Sequence, residues 1–381
     1  MLDWALFATG VVLSLWLFTD RSPWLRLPSR TAGRVHPPGQ DAAQSLARAA
    51  STFGLVMEGQ TILGEVDGMT VCATVTSARR LGLDRHKIEV TIEAPLGFPG
   101  EVSLVPRFEK KARAFTGDQR FDDEYVARGD PTLVLALLDV STRDLILGLA
   151  GRFDLDAEAL VWRGTRAPTF LTRLLRQLTQ FSIRMRDAPL DVPSSLIRNC
   201  RRDPVASVRE RNLLTLHREL ADDPRTEEVL LGALRDEAPS VRLRAALLLG
   251  DCAEDTLVEF VVDPESTEEM RLTAARRLRV GHPVAVEKLC ALIESRSANV
   301  PISVVRAIGM LGTPAIIGRL RPYATGFRRD ARVQNEIRDA IERITARNEH
   351  AAPGLLSIAG EESQDGELSV APAGTGALSE P

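Results

Sequence analysis

The spacing of apolar residues changes character twice along the chain. Residues 4–18 read WALFATGVVLSLWLF, with no charge anywhere in the stretch. From about residue 41 to 190 the pattern is mixed. DAAQSLARAASTFGL is apolar at Ala43, Leu46, Ala50 and Phe53, a helical spacing, with Ser51 and Gly54 near its end. Short alternating runs follow in TILGEVDG, MTVCATVTS, KIEVTIEAP and EVSLVPR, parted by Gly, Asp and Pro. Period-two alternation is the mark of a half-buried strand, and Asp67-Gly68 suits a two-residue hairpin turn. The four runs together predict a meandering antiparallel sheet. PTLVLALLDV and TRDLILGLAGRF read as short apolar helices and ALVWRG as a further strand. PTFLTRLLRQLTQFSIRMRD closes the region as an amphipathic helix with Phe170, Leu171, Leu174, Leu175, Leu178 and Phe181 on one face. The expectation for 41–190 is an α+β domain.

After Asp191 the strand pattern stops and a repeat begins. DPVASVRERNLLTL, DEAPSVRLRAALLLG, TEEMRLTAARRLRVG and NVPISVVRAIGMLG share one plan. Each has an acidic or turn-forming lead, then an apolar residue usually followed by Arg, then a helix ending near a leucine. The closing leucines Leu216, Leu249, Leu278 and Leu311 recur at intervals of 33, 29 and 33 residues, within the range of helical repeat arrays. Further helical segments lie between them: TEEVLLGALRD, DTLVEFVVD, VAVEKLCALIES and AIIGRLRPYA. Two helices per period make an antiparallel hairpin, which cannot bury its own apolar stripe and must stack on its neighbours.

These segments resemble HEAT repeats, including the short PBS-lyase-type variant. The resemblance is carried by D-x-x-x-x-V-R at 203–209, by D-E-x-x-S-V-R-x-x-A-A-x-x-L-G at 236–250, by M-R-x-x-A-A-x-x-L at 270–278 and by AIGMLG at 307–312. It implies an all-α superhelical solenoid over 191–347 after the α+β domain. In that family the turn Asp and the helix Arg stack in a ladder between repeats. Asp203, Asp236, Arg209, Arg242 and Arg271 are therefore expected to be structural. The unit RRDARVQNEIRDAIERITAR departs from the pattern, as a terminal cap does. PBS-lyase-type repeats also occur in chromophore-attachment lyases, which gives an alternative reading as a cofactor-attachment factor. That reading needs a nucleophile or tetrapyrrole-positioning residues, and none is identified.

The uncharged opening predicts a membrane anchor over 1–20. A helix of about 18 residues spans about 27 Å, near the thickness of a hydrocarbon core. Trp4 and Trp16 sit near its ends, where indoles favour the interface. A cleaved signal peptide is the rival reading, with a periplasmic scaffold as its consequence, but Asp3 stands where a basic start is expected. A buried core helix is the third. Arg21, Arg26, Arg30 and Arg34 follow the segment and no Lys or Arg precedes it, which places the C-terminal side in the cytoplasm of a bacterial inner membrane. The Pro- and Arg-rich stretch 21–40 reads as a linker, and Arg26 to Arg34 with Trp24 and Leu25 also suit anionic headgroups. The combination resembles bacterial membrane-anchored HEAT-repeat proteins, and this resemblance implies no activity.

Composition narrows the chemistry further. The 381 residues are 44% hydrophobic and 26% charged, the balance of a folded body, and a net charge of -4 gives no global footprint for nucleic acid. Cys72, Cys200, Cys252 and Cys290 are far apart, which argues against zinc and against a disulfide framework. Asp122, Asp123 and Glu124 form a run of carboxylates, but neighbours on a strand alternate faces and cannot share one metal. TGDQRF has no Lys after its Gly and is not a phosphate loop; His86 sits in a charged loop and reads as a surface residue. No catalytic motif, cofactor site or metal site is identified, so the expectation is a non-enzymatic scaffold or adaptor with protein partners. Between residues 163 and 211 arginines dominate, among them Arg173, Arg176, Arg184, Arg186, Arg198, Arg201 and Arg202. Lacking interleaved aromatics for base stacking, they argue against nucleic acid and leave a solvated face, anionic lipid or an acidic partner open.

The acidic stretch 348–381 has the composition of a disordered tail. It repeats G-x-L-S three times, placing Leu356 beside Ser357, Leu368 beside Ser369 and Leu378 beside Ser379. A multivalent linear motif for a partner, low-complexity drift and a strand-adding tail are the three readings.

Overall fold

The computed structural model describes residues 40–80, 83–97, 99–107, 115–188, 190–295, 300–325 and 330–355. The apolar segment 4–18, its flanking arginines, and Leu356, Ser357, Leu368, Ser369, Leu378 and Ser379 lie outside these residues. Among the described residues no helix is long and apolar enough to cross a membrane. An antiparallel sheet region is followed by a helical one. The described residues divide into two compact units, the first taking those up to 107 with 124–130 and 144–190, and the second taking 115–123, 131–143 and those from 191 on.

The first unit contains helix α1 (Gln40–Phe53), strands β1 (Val56–Glu58), β2 (Thr61–Val66), β3 (Met69–Arg80), β4 (Leu83–Glu93) and β5 (Val102–Pro106), and β6 (Tyr125–Gly129), β7 (Arg152–Leu155) and β8 (Ala159–Thr165). They form one sheet in the order β1-β2-β3-β4-β8-β7-β5-β6. All its pairs are antiparallel. Asp67 and Gly68 both have positive φ, 50° and 75°, and close the β2–β3 turn with Val66 opposite Met69. That is the backbone a two-residue hairpin needs to match strand twist.

The predicted meander holds only as far as β4. EVSLVPR does not lie beside KIEVTIEAP; β8 takes that place, pairing Val90 with Trp162 and Ile92 with Leu160. The Pro- and Gly-rich link after Glu93 is no tight turn, and the β4 edge instead gains a strand whose Leu160 and Trp162 bury alongside Val90 and Ile92. The end of TRDLILGLAGRF is likewise strand rather than helix, because Arg152–Leu155 pairs with both β5 and β8. His86 is part of β4 and pairs with Ser77, not part of a loop.

Alternation sorts the two faces of the sheet. Val71, Ala73, Val75, Ile88, Val90 and Ile92 are buried, while Cys72, Thr74 and Glu89 point to the opposite side. Helix α1 and a C-terminal helix of this unit, Leu171–Asp187, pack on each other and on β1, β2 and β4. In α1 the buried positions are Ala42, Leu46, Ala49 and Ala50, so the stripe is rotated slightly from the expected one and Phe53 is only half-buried. Trp162 is fully buried, and a Cβ on Gly151 or Gly164 would meet its ring at 2.3 or 2.5 Å. The indole fits because both neighbours lack side chains.

The second unit includes α2 (Gln119–Glu124) up to Asp123, α3 (Pro131–Leu137) and the start of α4 (Val140–Leu149). Counting Leu171–Asp187 as α5, the helices that follow are α6 (Val192–Arg202), α7 (Ala206–Glu219), α8 (Pro224–Ala233), α9 (Pro239–Leu249), α10 (Glu254–Val262) and α11 (Glu268–Arg277), then α12 (Pro283–Glu294), α13 (Ile302–Leu311), α14 (Ile317–Thr325) and α15 (Ala331–Leu355). They pair as α6/α7, α8/α9, α10/α11, α12/α13 and α14/α15. Helices α7, α9, α11, α13 and α15 then pack each on the next, which makes one layer of the stack. At the start of the stack α3 packs on α6 and α7, and Asn199 donates to the Leu135 carbonyl at 3.0 Å.

Local chemistry starts and joins these helices. Asp191, Asp223, Thr267 and His282 cap α6, α8, α11 and α12 through their side chains. Pro224, Pro239 and Pro283 occupy first-turn positions where no N–H is needed. Leu216, Leu278 and Leu311 are buried, and Leu249 is half-buried against the core that runs from α9 to α15. Each fully buried leucine contributes about 2 kcal/mol.

Candidate functional site

Charge is the distinctive chemistry of the helical unit, and it centres on the turn aspartates. Asp203, between α6 and α7, accepts the Val205 N–H at 3.0 Å. It also receives a two-pronged bond from Arg143, whose Nη1 and Nη2 lie 2.9 and 3.1 Å from its oxygens. Arg143 is fully buried and donates through Nε to Asp118 at 2.9 Å and through Nη1 to the Leu138 carbonyl at 2.8 Å. One repeat later the geometry returns. Arg209 donates to Asp236 through Nε at 2.9 Å and Nη2 at 2.7 Å, and through Nη1 to the Asp203 carbonyl at 2.7 Å. Such forked pairs are the strongest the side chains can make.

Further along, the arginines turn to backbone. Arg242 donates through Nη1 to the carbonyls of Asp236 and Glu237 at 2.8 and 3.1 Å and lies 5.8 Å from the Phe260 ring centre. Arg271 is buried and donates to the carbonyls of Val261 and Asp263 and to Ser303 Oγ, satisfying the last carbonyls of α10. Its removal from water pulls its pKa down, Asp263 and Glu268 opposing the shift. All five expected ladder residues therefore sit at turns or first helical turns, and two of the arginines, with Arg143, do the bridging.

Arg143 is the residue that motif matching at 191–347 misses, because it lies far upstream. A signal was present: Ser141-Thr142-Arg143 repeats the Ser-x-Arg of Ser207-Val208-Arg209 and Ser240-Val241-Arg242. Its loop partner is built just before it. Asp122 belongs to helix α2 rather than to a strand, and its buried carboxylate accepts from Thr116 N, Thr116 Oγ1 and Gly117 N at 3.0, 2.9 and 2.9 Å. Those bonds shape the turn that carries Asp118 toward Arg143. A Cβ on Gly117 would meet the Ser207 carbonyl oxygen at 2.6 Å, so the turn lies directly against the start of α7. Among the described residues no group of three His, Cys, Asp or Glu side chains is placed to hold a metal ion.

A groove of about 790 Å³ opens beside these rungs, walled by the end of α6, by α8 and by the two Asp turns. Arg201 crosses to Glu228 at 2.8 Å, and Arg209 fills the floor with Asp236. Arg202 and Arg235, each preceding one of the two turn aspartates, are exposed where the groove opens. Cys200 is in the wall, and burial pushes its thiol up, so it is a poor nucleophile. The arrangement offers cationic hydrogen-bond donors to a ligand from outside. The chain matches no protein-family model and no curated protein.

Proposed function

We propose that the protein is a non-enzymatic scaffold whose stacked hairpins are HEAT-like repeats and hold a protein partner. The division of labour among its arginines carries this reading. Arg143, Arg209 and Arg271 are spent on internal contacts, whereas Arg202 and Arg235 occupy one equivalent repeat position and remain exposed. A partner presenting carboxylates at the spacing of a repeat fits that surface. The segment 4–18 anchors the chain in the inner membrane with the repeats in the cytoplasm, and the G-x-L-S copies give the partner further footholds.

Affinity capture tests this with the full chain, with Arg202→Glu/Arg235→Glu, and with a chain ending at Arg347. The expected outcome is loss of a common partner in the groove variant while its circular dichroism is unchanged. Identical partner sets from all three proteins would sink the scaffold reading. Protease added to intact cells and to spheroplasts reads the topology, and cutting of the C-terminus in intact cells would put the repeats outside the cytoplasm.

A further inference from the structure

We infer that the outer face of α5 is a docking surface for anionic phospholipid headgroups. The inference rests on the membrane anchoring proposed above. Helix α5 buries Leu171, Leu174, Leu175, Leu178, Phe181 and Met185 and exposes Arg173, Arg176, Gln180 and Arg184. Those exposed positions are spaced by three, four and four residues, which aligns them as one stripe along the helix. From Glu158 to Asp187 the sequence holds six arginines and no acidic residue between the two ends. Three of the six are drawn inward or sideways: Arg163 pairs with Asp154 and Glu89, Arg166 donates to the Leu149 carbonyl, and Arg186 bonds to Asp187 and the Asp67 carbonyl. The stripe carries Arg173, Arg176 and Arg184, and its own helix holds no carboxylate before its last residue.

Aromatic rings support the guanidinium groups. Arg166 and Arg173 lie 5.4 and 5.7 Å from the centre of Phe170, and Arg184 lies 5.3 Å from that of Phe181. Stacked this way, the heads lie low over an apolar base, as interfacial arginines do. The rings are covered by those groups or buried, so they give no platform for nucleic-acid bases.

The entry of the chain points the same way. Helix α1 packs directly on α5 and begins at Gln40, where the linker 21–40 ends. That linker carries Arg21, Arg26, Arg30 and Arg34 and follows the apolar segment. About twenty residues of chain can span at least about 25 Å, so on the anchoring proposed above a bilayer holding the segment is within range of α5. A second basic element at the membrane surface would fix the orientation of this unit there.

The test uses the full chain with a polarity-sensitive fluorophore on Gln180→Cys, in a Cys72→Ser/Cys252→Ser background because Cys200 and Cys290 are buried. The chain is mixed with vesicles of phosphatidylcholine alone or with phosphatidylglycerol added, and flotation is scored beside emission. The expected result is a blue shift only where phosphatidylglycerol is present, suppressed as salt is raised and lost in Arg173→Gln/Arg176→Gln/Arg184→Gln. An unchanged emission on phosphatidylglycerol vesicles that carry the protein overturns the inference, as does a shift that survives the triple substitution. Failure to float with phosphatidylcholine alone removes the anchor and leaves the emission response on anionic vesicles to decide the face by itself.

Discussion

A guanidinium without solvent exposure is costly to bury, and Arg143 is accommodated because each side of its fork has a partner. Asp118 and Asp203 approach it at 2.9 Å, and the Leu138 carbonyl accepts a further N–H. Attraction in the low-dielectric interior offsets the lost hydration only while all partners remain in place. Arg143→Ala strands two carboxylates and is expected to lower stability by about 3–5 kcal/mol. Arg143→Lys keeps the charge but offers a point donor in place of a fork, and cannot serve both carboxylates and the carbonyl at once. Its expected loss is smaller than that of alanine and still measurable by urea unfolding. Equal losses for the two variants would mean that the retained charge contributes nothing, and an unchanged stability of Arg143→Lys would mean that charge alone matters and that the forked geometry does not.

At the scale of the element, helix ends show where local signals suffice. Helix α13 stops at Leu311, and Gly312 has the extended φ of -65°, so no left-handed cap takes up its last carbonyls. Arg347 of α15 does so instead, through Nη1 to Met310 and Nη2 to Gly309 and Gly312 at 2.8, 3.3 and 2.6 Å. Arg347→Met keeps the aliphatic stem and removes the donors, with an expected loss of about 1–3 kcal/mol and faster amide exchange at the end of α13. Exchange unchanged there would reduce Arg347 to a packing role. Nothing near Gly312 in the sequence announces a donor so far along the chain. The Asp67-Gly68 turn, the α5 stripe and the repeat helices were legible because their determinants lie within a few residues of one another. The order of the sheet was not, since β8 reaches β4 across an intervening 65 residues, from 94 to 158, and alternation reports faces rather than neighbours. Arg143 escaped for a related reason: its Ser-x-Arg motif is legible, but its distance from the other copies hides the shared role.

On the scale of the whole helical unit, stability should follow the pattern of contacts between successive hairpins. Helix α13 packs on α11, α12 and α15, and the core from Leu243 to Ile344 is continuous through such neighbour contacts. A stack of this kind gains stability hairpin by hairpin, so damage at one end spreads inward by degrees. A chain ending at Thr313 lacks α14 and α15 and uncovers Ala307, Ile308 and Leu311, which are buried in the intact protein. Hydrogen exchange followed by mass spectrometry is expected to show near-complete loss of protection in α12 and α13, partial loss in α10 and α11, and native protection in α6 to α9. The forked pairs of Arg143 with Asp203 and Arg209 with Asp236 lie at that far end and are untouched by the truncation. A uniform loss across all the helices from 191 onward would identify one indivisible core, and the repeat reading of this unit would then have to be given up.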